Sequence, residues 1–259
     1  MFTGKSTTAL LLFPIFLLVS SGASSQINAQ PGSSLKPFAV IELFTSQGCS
    51  SCPAADRLLS KTISESKVNS DINIFALSFH VDYWNRQGWT DPFSEKEYSE
   101  RQNNYASVLN LNSVFTPQMI LNGNRQFVGS DEHSLKQALY QSLSVAPSAG
   151  FKMLSARCEK NAPATVRFSV FGSYDGCSIN FALLSLRETT FIKRGENEGL
   201  TITSENVVRQ FISIPAIAEG EIKFRGSPVS AGNNLAIIAY LQKNNNLTII
   251  GAAMADLDR

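Results

Sequence analysis

"ELFTSQGCSSCPAADRLLSK" runs from Glu42 to Lys61 and sets two cysteines, Cys49 and Cys52, where a strand signal gives way to a helix signal. Upstream, "PFAVIELFTS" (37–46) is β-branched and aromatic and bounded by turn residues, the pattern of a strand. Downstream, Leu58, Leu59 and Ile63 recur at the spacing of one helical face. Pro53 falls in the first turn, where its missing N–H costs little, and Asp56 follows near the helix start, where the dipole favours a negative charge. A cysteine at such a helix N-terminus faces unpaired N–H groups and the positive dipole end, which lowers a thiol pKa from its usual value of about 8.5. That geometry makes Cys49 the exposed attacking sulfur and Cys52, one turn in, the resolving one.

Working outward, "INIFALSFHV" (72–81) is a second strand, nearly continuously apolar, as expected when both faces are covered. Strand, helix and strand of these lengths predict a parallel pair with a right-handed crossover. A helix is predicted from about Ser94 to Leu109, with Ser94 as N-cap and Glu97 completing a capping box. "FTPQMILNG" (115–123) and "RQFVGS" (125–130) flank Asn122-Gly123, the strongest hairpin signal in the chain. "DEHSLKQALYQSLS" (131–144) reads as a helix capped by Asp131 or Ser130. After "APSAG" (146–150) the pattern changes to short alternating strands with recurrent turns. The expected architecture is therefore an α/β domain over 37–148 followed by an all-β antiparallel, sandwich-like domain over 149–259.

The 259 residues carry 22 basic and 21 acidic side chains, a net charge of +1, with no long run of either sign. No electrostatic footprint for nucleic acid or an anionic membrane surface is present. The first 23 residues have the layout of a secretory signal peptide: Lys5, an apolar run from Ala9 to Val19, then small residues, with Ser21 and Ala23 fitting a cleavage site and Ala29 as a second choice. That apolar run is shorter than the roughly 17 residues a membrane-spanning helix needs. Residues 24–36 read as a flexible mature N-terminus. The expectation is an exported protein, periplasmic or secreted, with no membrane association after cleavage.

Export bears on the four cysteines, because thiols outside the cytosol usually form disulfides. Sequence proximity favours Cys49–Cys52 and, as a structural staple in the second region, Cys158–Cys177. A structural zinc site needs four ligands, and a single CxxC with only two histidines, His80 and His133, does not supply them. No metal and no cofactor is expected.

Five segments carry a resemblance: "ELFTSQGCSSCPAAD", "ALSFHVDYWNRQGWTDPF", "ERQNNYA", "TPQMILNG" and "FVGSD". Together they resemble an exported thioredoxin-like family catalogued only as a domain of unknown function, over about residues 38–259. The resemblance implies a thioredoxin-like fold for 37–148. It makes Cys49 the nucleophile, Cys52 the resolving cysteine, and Thr116-Pro117 a substrate loop with a cis proline facing the CxxC. It also implies a buried acid on the first strand, and Glu42 stands at about the right place to accept a proton from Cys52. Ser50 and Ser51 depart from the Gly-Pro and Pro-His pairs of better-known oxidoreductases, and the motif holds no positive side chain.

Trp84 and Trp89, the only tryptophans in the chain, follow the second strand closely, with His80 at its end. They form either an aromatic wall that grips a substrate or a loop pinned by its own side chains. The expected function is thiol–disulfide exchange with protein or small-molecule thiols and disulfides. Two alternatives stand beside it: a non-catalytic binding module in which Cys49–Cys52 is a permanent staple, and a copper-handling protein that adds His80 to the cysteine pair.

Overall fold

The computed structural model describes residues 1, 35–68, 73–159, 162–226 and 235–257. The expected signal peptide and most of the flexible N-terminus lie outside the described residues. In chain order the elements are β1 (Phe38–Thr45), α1 (Cys52–Val68), β2 (Asn73–His80), α2 (Lys96–Val108), β3 (Gln118–Leu121), β4 (Arg125–Val128) and α3 (Glu132–Leu143). Seven strands follow: β5 (Ala149–Arg157), β6 (Thr165–Gly172), β7 (Cys177–Phe191), β8 (Thr201–Pro215), β9 (Glu219–Lys223), β10 (Leu235–Lys243) and β11 (Ile249–Asp256).

β1 and β2 pair in parallel from Phe38–Asn73 to Thr45–His80, as the strand–helix–strand pattern requires. β3 adds antiparallel to β1, and β4 turns back on β3 through Asn122 and Gly123, both at positive φ (47° and 73°). An Asn-Gly pair adopts that geometry at little steric cost. α3 begins where Asp131 accepts a hydrogen bond from the Ser134 amide at 3.0 Å. The start of α2 differs from expectation. Its N-cap is Glu95, without a side-chain cap, because the Ser94 hydroxyl donates to the Asp91 carbonyl (2.8 Å) and is spent on the preceding loop.

The larger correction concerns fold class. The sheet does not end at β2: β8 lies beside it in parallel, at Ser78–Val207, and brings β7, β10 and β11 with it. One eight-stranded mixed sheet results, in the order β11-β10-β7-β8-β2-β1-β3-β4. Strand makes up 44% and helix 21% of the described residues, so the chain is mostly β. An α/β thioredoxin-like domain followed by an antiparallel sandwich is not what forms. The physical reason is the open edge of β2. Ser78 donates to the Glu205 carbonyl at 2.9 Å, and the Asn206 amide donates to the Ala76 carbonyl at 2.8 Å, so polar groups from far along the chain complete that edge.

The sheet is covered on both faces. Ile41, Leu43 and Met119 pack against Ala55, Leu58, Leu59 and Leu135 of α1 and α3. Farther along, Ile179, Phe181 and Leu183 meet Phe151, Val166 and Phe168 of a separate three-stranded sheet, β5-β6-β9. The opposite face carries Val40, Phe44, Leu77 and Phe79, covered by Tyr98 and Tyr105 of α2. Alternation along β1 thus sends 41, 43 and 45 toward α1 and 40, 42 and 44 toward α2.

Candidate functional site

Cys49 and Cys52 are joined by a disulfide at the head of α1, with Cα atoms 5.4 Å apart. Cys49 Sγ lies 3.3 Å from the Ser51 hydroxyl. Thr116-Pro117 is cis. A side chain built on Gly129 would stand 3.0 Å from Pro117 Cβ and 3.1 Å from Ala55 Cβ, so Gly129 lies between the proline and the first turn of α1.

The tryptophans belong to the same site. Trp84 Nε1 donates to Thr116 Oγ1 at 2.7 Å, and its Cβ closes on Gly48. Trp89 Nε1 donates to Gln47 Oε1 at 3.1 Å. Both indole N–H groups therefore tie their own loop to the residues around the CxxC.

The structure corrects the expected exposure. Cys49 and Cys52 both have 0% relative exposure. The tip of the β7–β8 hairpin, residues 193–200, is bonded to the loop that carries Cys49. Asn197 donates to the carbonyls of Gln47 and Cys49, both at 2.9 Å, and Glu196 accepts from the Ser50 amide at 3.0 Å. This charged, glycine-bearing loop meets residues about 150 positions upstream, a pairing that nothing in one sequence announces.

Glu42 is displaced from its expected role. It points with Val40 and Phe44 toward α2, where Arg101 Nη2 donates to its Oε1 at 2.7 Å and the Tyr240 hydroxyl donates to the same oxygen. A proton from Cys52, on the opposite face, does not reach it. The acid on the correct face is Asp56, one helical turn beyond Cys52 and 5% exposed. It does not sit in the first turn as a solvated dipole partner. It turns inward under Thr45, whose hydroxyl approaches its oxygens at 3.4 and 3.5 Å. Thr45 pairs with His80 across the parallel ladder, which brings the imidazole onto the same face.

His80 is 1% exposed, and its Nδ1 lies 2.7 Å from Asp91 Oδ2. Its Nε2 is buried without a hydrogen-bond partner. Asp91 also accepts from the Gln47 amide at 2.8 Å, tying this group to the CxxC loop. His80 is thus a buried member of an Asp56–His80–Asp91 group, not a substrate contact. Burial alone would lower the imidazole pKa, but the charge and hydrogen bond of Asp91, then the charge of Asp56, raise it above 6.5. Burial pushes Asp91 up, but His80 outweighs it and holds the carboxyl below its ordinary range. Burial raises Asp56 from 3.8 to about 7, against the lowering pull of His80. A cleft of about 540 Å³ between α1 and the start of β8 borders Asp56, with Arg57, Lys61, Arg187 and Glu205 around it.

A consequence for stability follows from Asp56. Between pH 3.8 and about 7 the folded chain keeps a proton that the unfolded chain has released. Asp56 therefore withdraws stability as pH rises through that window, and withdraws it fully above it. Asp56→Asn should leave stability near wild type at pH 4 and raise it by about 2–4 kcal/mol at pH 8. The charge of Asp56 also raises His80, so urea midpoints at the two pH values read Asp56 together with its coupling to that imidazole. Equal midpoint shifts at both would remove the assignment.

Cys158 and Cys177 both lie buried in the core between the two sheets and remain thiols, so the expected second bridge does not form. Burial raises the Cys177 pKa.

Fold and site define a protein with a disulfide-bonded CxxC at the head of a helix, on a mixed sheet that spans the chain. Residues 40–242 match the family described as Protein of unknown function (DUF1223), and the chain belongs to that family. Among solved structures, protein AGR_C_4864 from Agrobacterium tumefaciens is similar at 27% identity and a TM-score of 0.64, over 88% of this chain and 96% of that one. HBP35 of Porphyromonas gingivalis is 13% identical with a TM-score of 0.62, over 88% of this chain and 77% of that one, a likeness of fold. A search of curated proteins finds no match.

Proposed function

We propose that this is an exported thiol–disulfide exchange protein, working on protein or small-molecule disulfides through Cys49 and Cys52. The observation that carries the reading is the disulfide at the head of α1, with the Thr116-Pro117 loop tied to the CxxC loop through Trp84 and a buried acid one turn beyond Cys52. Locally, this arrangement resembles the dithiol site of the thioredoxin superfamily. The composition of residues 1–23 supports a periplasmic or secreted location. Among the described residues no helix is long and apolar enough to cross a membrane.

The chemistry runs in two displacements. The Cys49 thiolate attacks one sulfur of a substrate disulfide. A mixed disulfide forms as the substrate's own S–S bond breaks, and its other sulfur leaves as a thiolate. Cys52 then gives its proton to the Asp56 carboxylate and attacks Cys49, releasing the second substrate sulfur. The substrate gains two electrons and the pair becomes a disulfide, the oxidised end of the cycle. The cleft beside Asp56 returns its proton to solvent. A carboxyl that titrates near 7 is suited to take and release that proton at neutral pH.

The reading is tested by exchange between the reduced protein and a disulfide-bonded protein such as insulin. Cys49→Ser should reduce turnover to the uncatalysed rate, while Cys158→Ala leaves it within about twofold. Equal turnover by wild type and Cys49→Ser ends the proposal.

One observation favours a second reading. Complete burial of both sulfurs suits a permanent staple in a binding module; in that case mild dithiols leave the pair closed in the folded protein. The copper alternative has weaker support: among the described residues no cluster of three or more His, Cys, Asp or Glu side chains is arranged to hold a metal.

A further inference from the structure

The β7–β8 tip has the construction of a movable cover. Its turn is bonded to itself, through Glu198 N to Gly195 O (3.1 Å) and Leu200 N to Asn197 O (3.1 Å), so it is held together as one unit. Its base is fixed by Ile192, fully buried and bonded to Gly199 and Leu200. Beyond that base no apolar side chain of the tip is buried: Lys193, Arg194, Glu196, Glu198 and Leu200 are exposed. Gly195 and Gly199, at φ +82° and +83°, bracket the covering residues, and positive φ there admits backbone changes that other residues resist. The tip is held down by polar contacts. Asn197, 3% exposed, donates to two carbonyls of the CxxC loop, and Glu196 accepts from Ser50. Gly195 rests on Trp89.

We propose that this hairpin tip is a gate latched by Asn197, which keeps small thiols from the Cys49–Cys52 disulfide and makes Asn197 a determinant of which reductants the site accepts. A partner gains entry by taking over the tip's contacts. Those contacts are backbone groups, two carbonyl acceptors and one N–H donor, which an extended polypeptide's main chain can match and a small thiol cannot. The inference rests on the exchange reading for its biological meaning, but the gate itself is measurable without any exchange partner.

The test is reduction of the folded, oxidised protein by dithiothreitol. The dithiol is oxidised to its cyclic disulfide as Cys49–Cys52 gains two electrons and two protons, and the new thiols are counted by alkylation and mass spectrometry. In the wild type the rate should level off with dithiothreitol concentration, at the rate of gate opening. Asn197→Ala should be reduced about ten- to a hundredfold faster, through loss of two hydrogen bonds. Asn197→Asp, nearly isosteric but without the amide donor, should behave alike and guards against a packing defect in the alanine variant. Tryptophan emission should shift in both variants, since Trp89 packs on the tip, while a single cooperative unfolding transition is kept. Reduction of both variants at the wild-type rate would overturn the gate. So would a wild-type rate that rises linearly with reductant and equals that of the unfolded chain. Faster reduction of the Asn197 variants together with no Cys49-dependent insulin exchange by the wild type would sink the exchange reading and leave the gate standing.

Discussion

Cys52→Ser should turn the protein into a covalent trap. Once reduced and given a disulfide substrate, it should accumulate a Cys49–substrate mixed disulfide that survives denaturing electrophoresis without reductant and adds the substrate's mass to the intact protein. Wild type should show none, because Cys52 is held one helical turn from Cys49 and resolves the adduct within the molecule. Effective molarities for such intramolecular steps are very large, so loss of Cys52 should lengthen the adduct's life on the order of 10³-fold or more. Cys49→Ser should form no adduct, since Cys52 is set within the first turn of α1 on the buried face that carries Asp56, while Cys49 precedes the helix. The asymmetry between the two serines is the informative result. Equal adduct on both would remove the division of labour, and adduct on neither would favour the permanent staple. Asp56→Asn in the otherwise native protein should slow resolution most just above pH 7, where the wild-type carboxyl is ionised and the Cys52 thiol still depends on an acceptor, and less at lower pH, where Asp56 is itself protonated, or at high pH, where solvent hydroxide deprotonates the thiol.

What the sequence disclosed and what it hid divide along a physical line. Local signals were legible: the strand before Cys49, the face made by Leu58, Leu59 and Ile63, the Asn122-Gly123 turn and the Asp131 cap all depend on neighbours a few residues away. The fold class was not, because it turns on the pairing of Ser78 with Val207. An apolar run such as β2 announces that both faces are covered, but not which strand completes its edge. Glu42 was misplaced by one step of alternation. Ile41, Glu42, Leu43 and Phe44 are all buried, so the usual contrast of apolar and polar faces vanishes and parity alone does not identify the α1 side. The parity of Thr45 and His80, taken with Asp56 one turn past Cys52, was a usable signal for the acid that does lie under the disulfide. Asn197 carried no such signal: an asparagine in a charged glycine loop looks like any turn.

The position of Glu42 leads to the largest expected loss of stability. Its carboxylate is fully buried, and the Arg101 side chain is only 11% exposed. The guanidinium is held at 4.7 Å over Phe211 and 5.0 Å over Tyr105, and donates to Tyr105, Tyr240 and Gln242 as well as to Glu42. Gln242 in turn accepts from Asn180 at 3.0 Å and donates to Tyr105 at 2.8 Å, so the network is closed. Burial and the nearby carboxylate drive the phenols of Tyr105 and Tyr240 well above 10, which keeps them as donors at any working pH. Arg101→Leu leaves a carboxylate in the core without its cation, and Glu42→Leu leaves the cation. Each should cost about 3–5 kcal/mol, because an uncompensated buried charge is more expensive than the pair it came from. The double variant should be far less destabilised than the sum of the two, and close to neutral where leucines fill the space. Urea unfolding of the four proteins at pH 7 reads this as a double-mutant cycle. All should unfold in one transition, since β1, α2 and β10 contribute to the same cluster on the same sheet. Single variants within 1 kcal/mol of wild type, or strict additivity, would show that the aromatic packing around Arg101 holds the sheet's centre and that the charges are incidental to it.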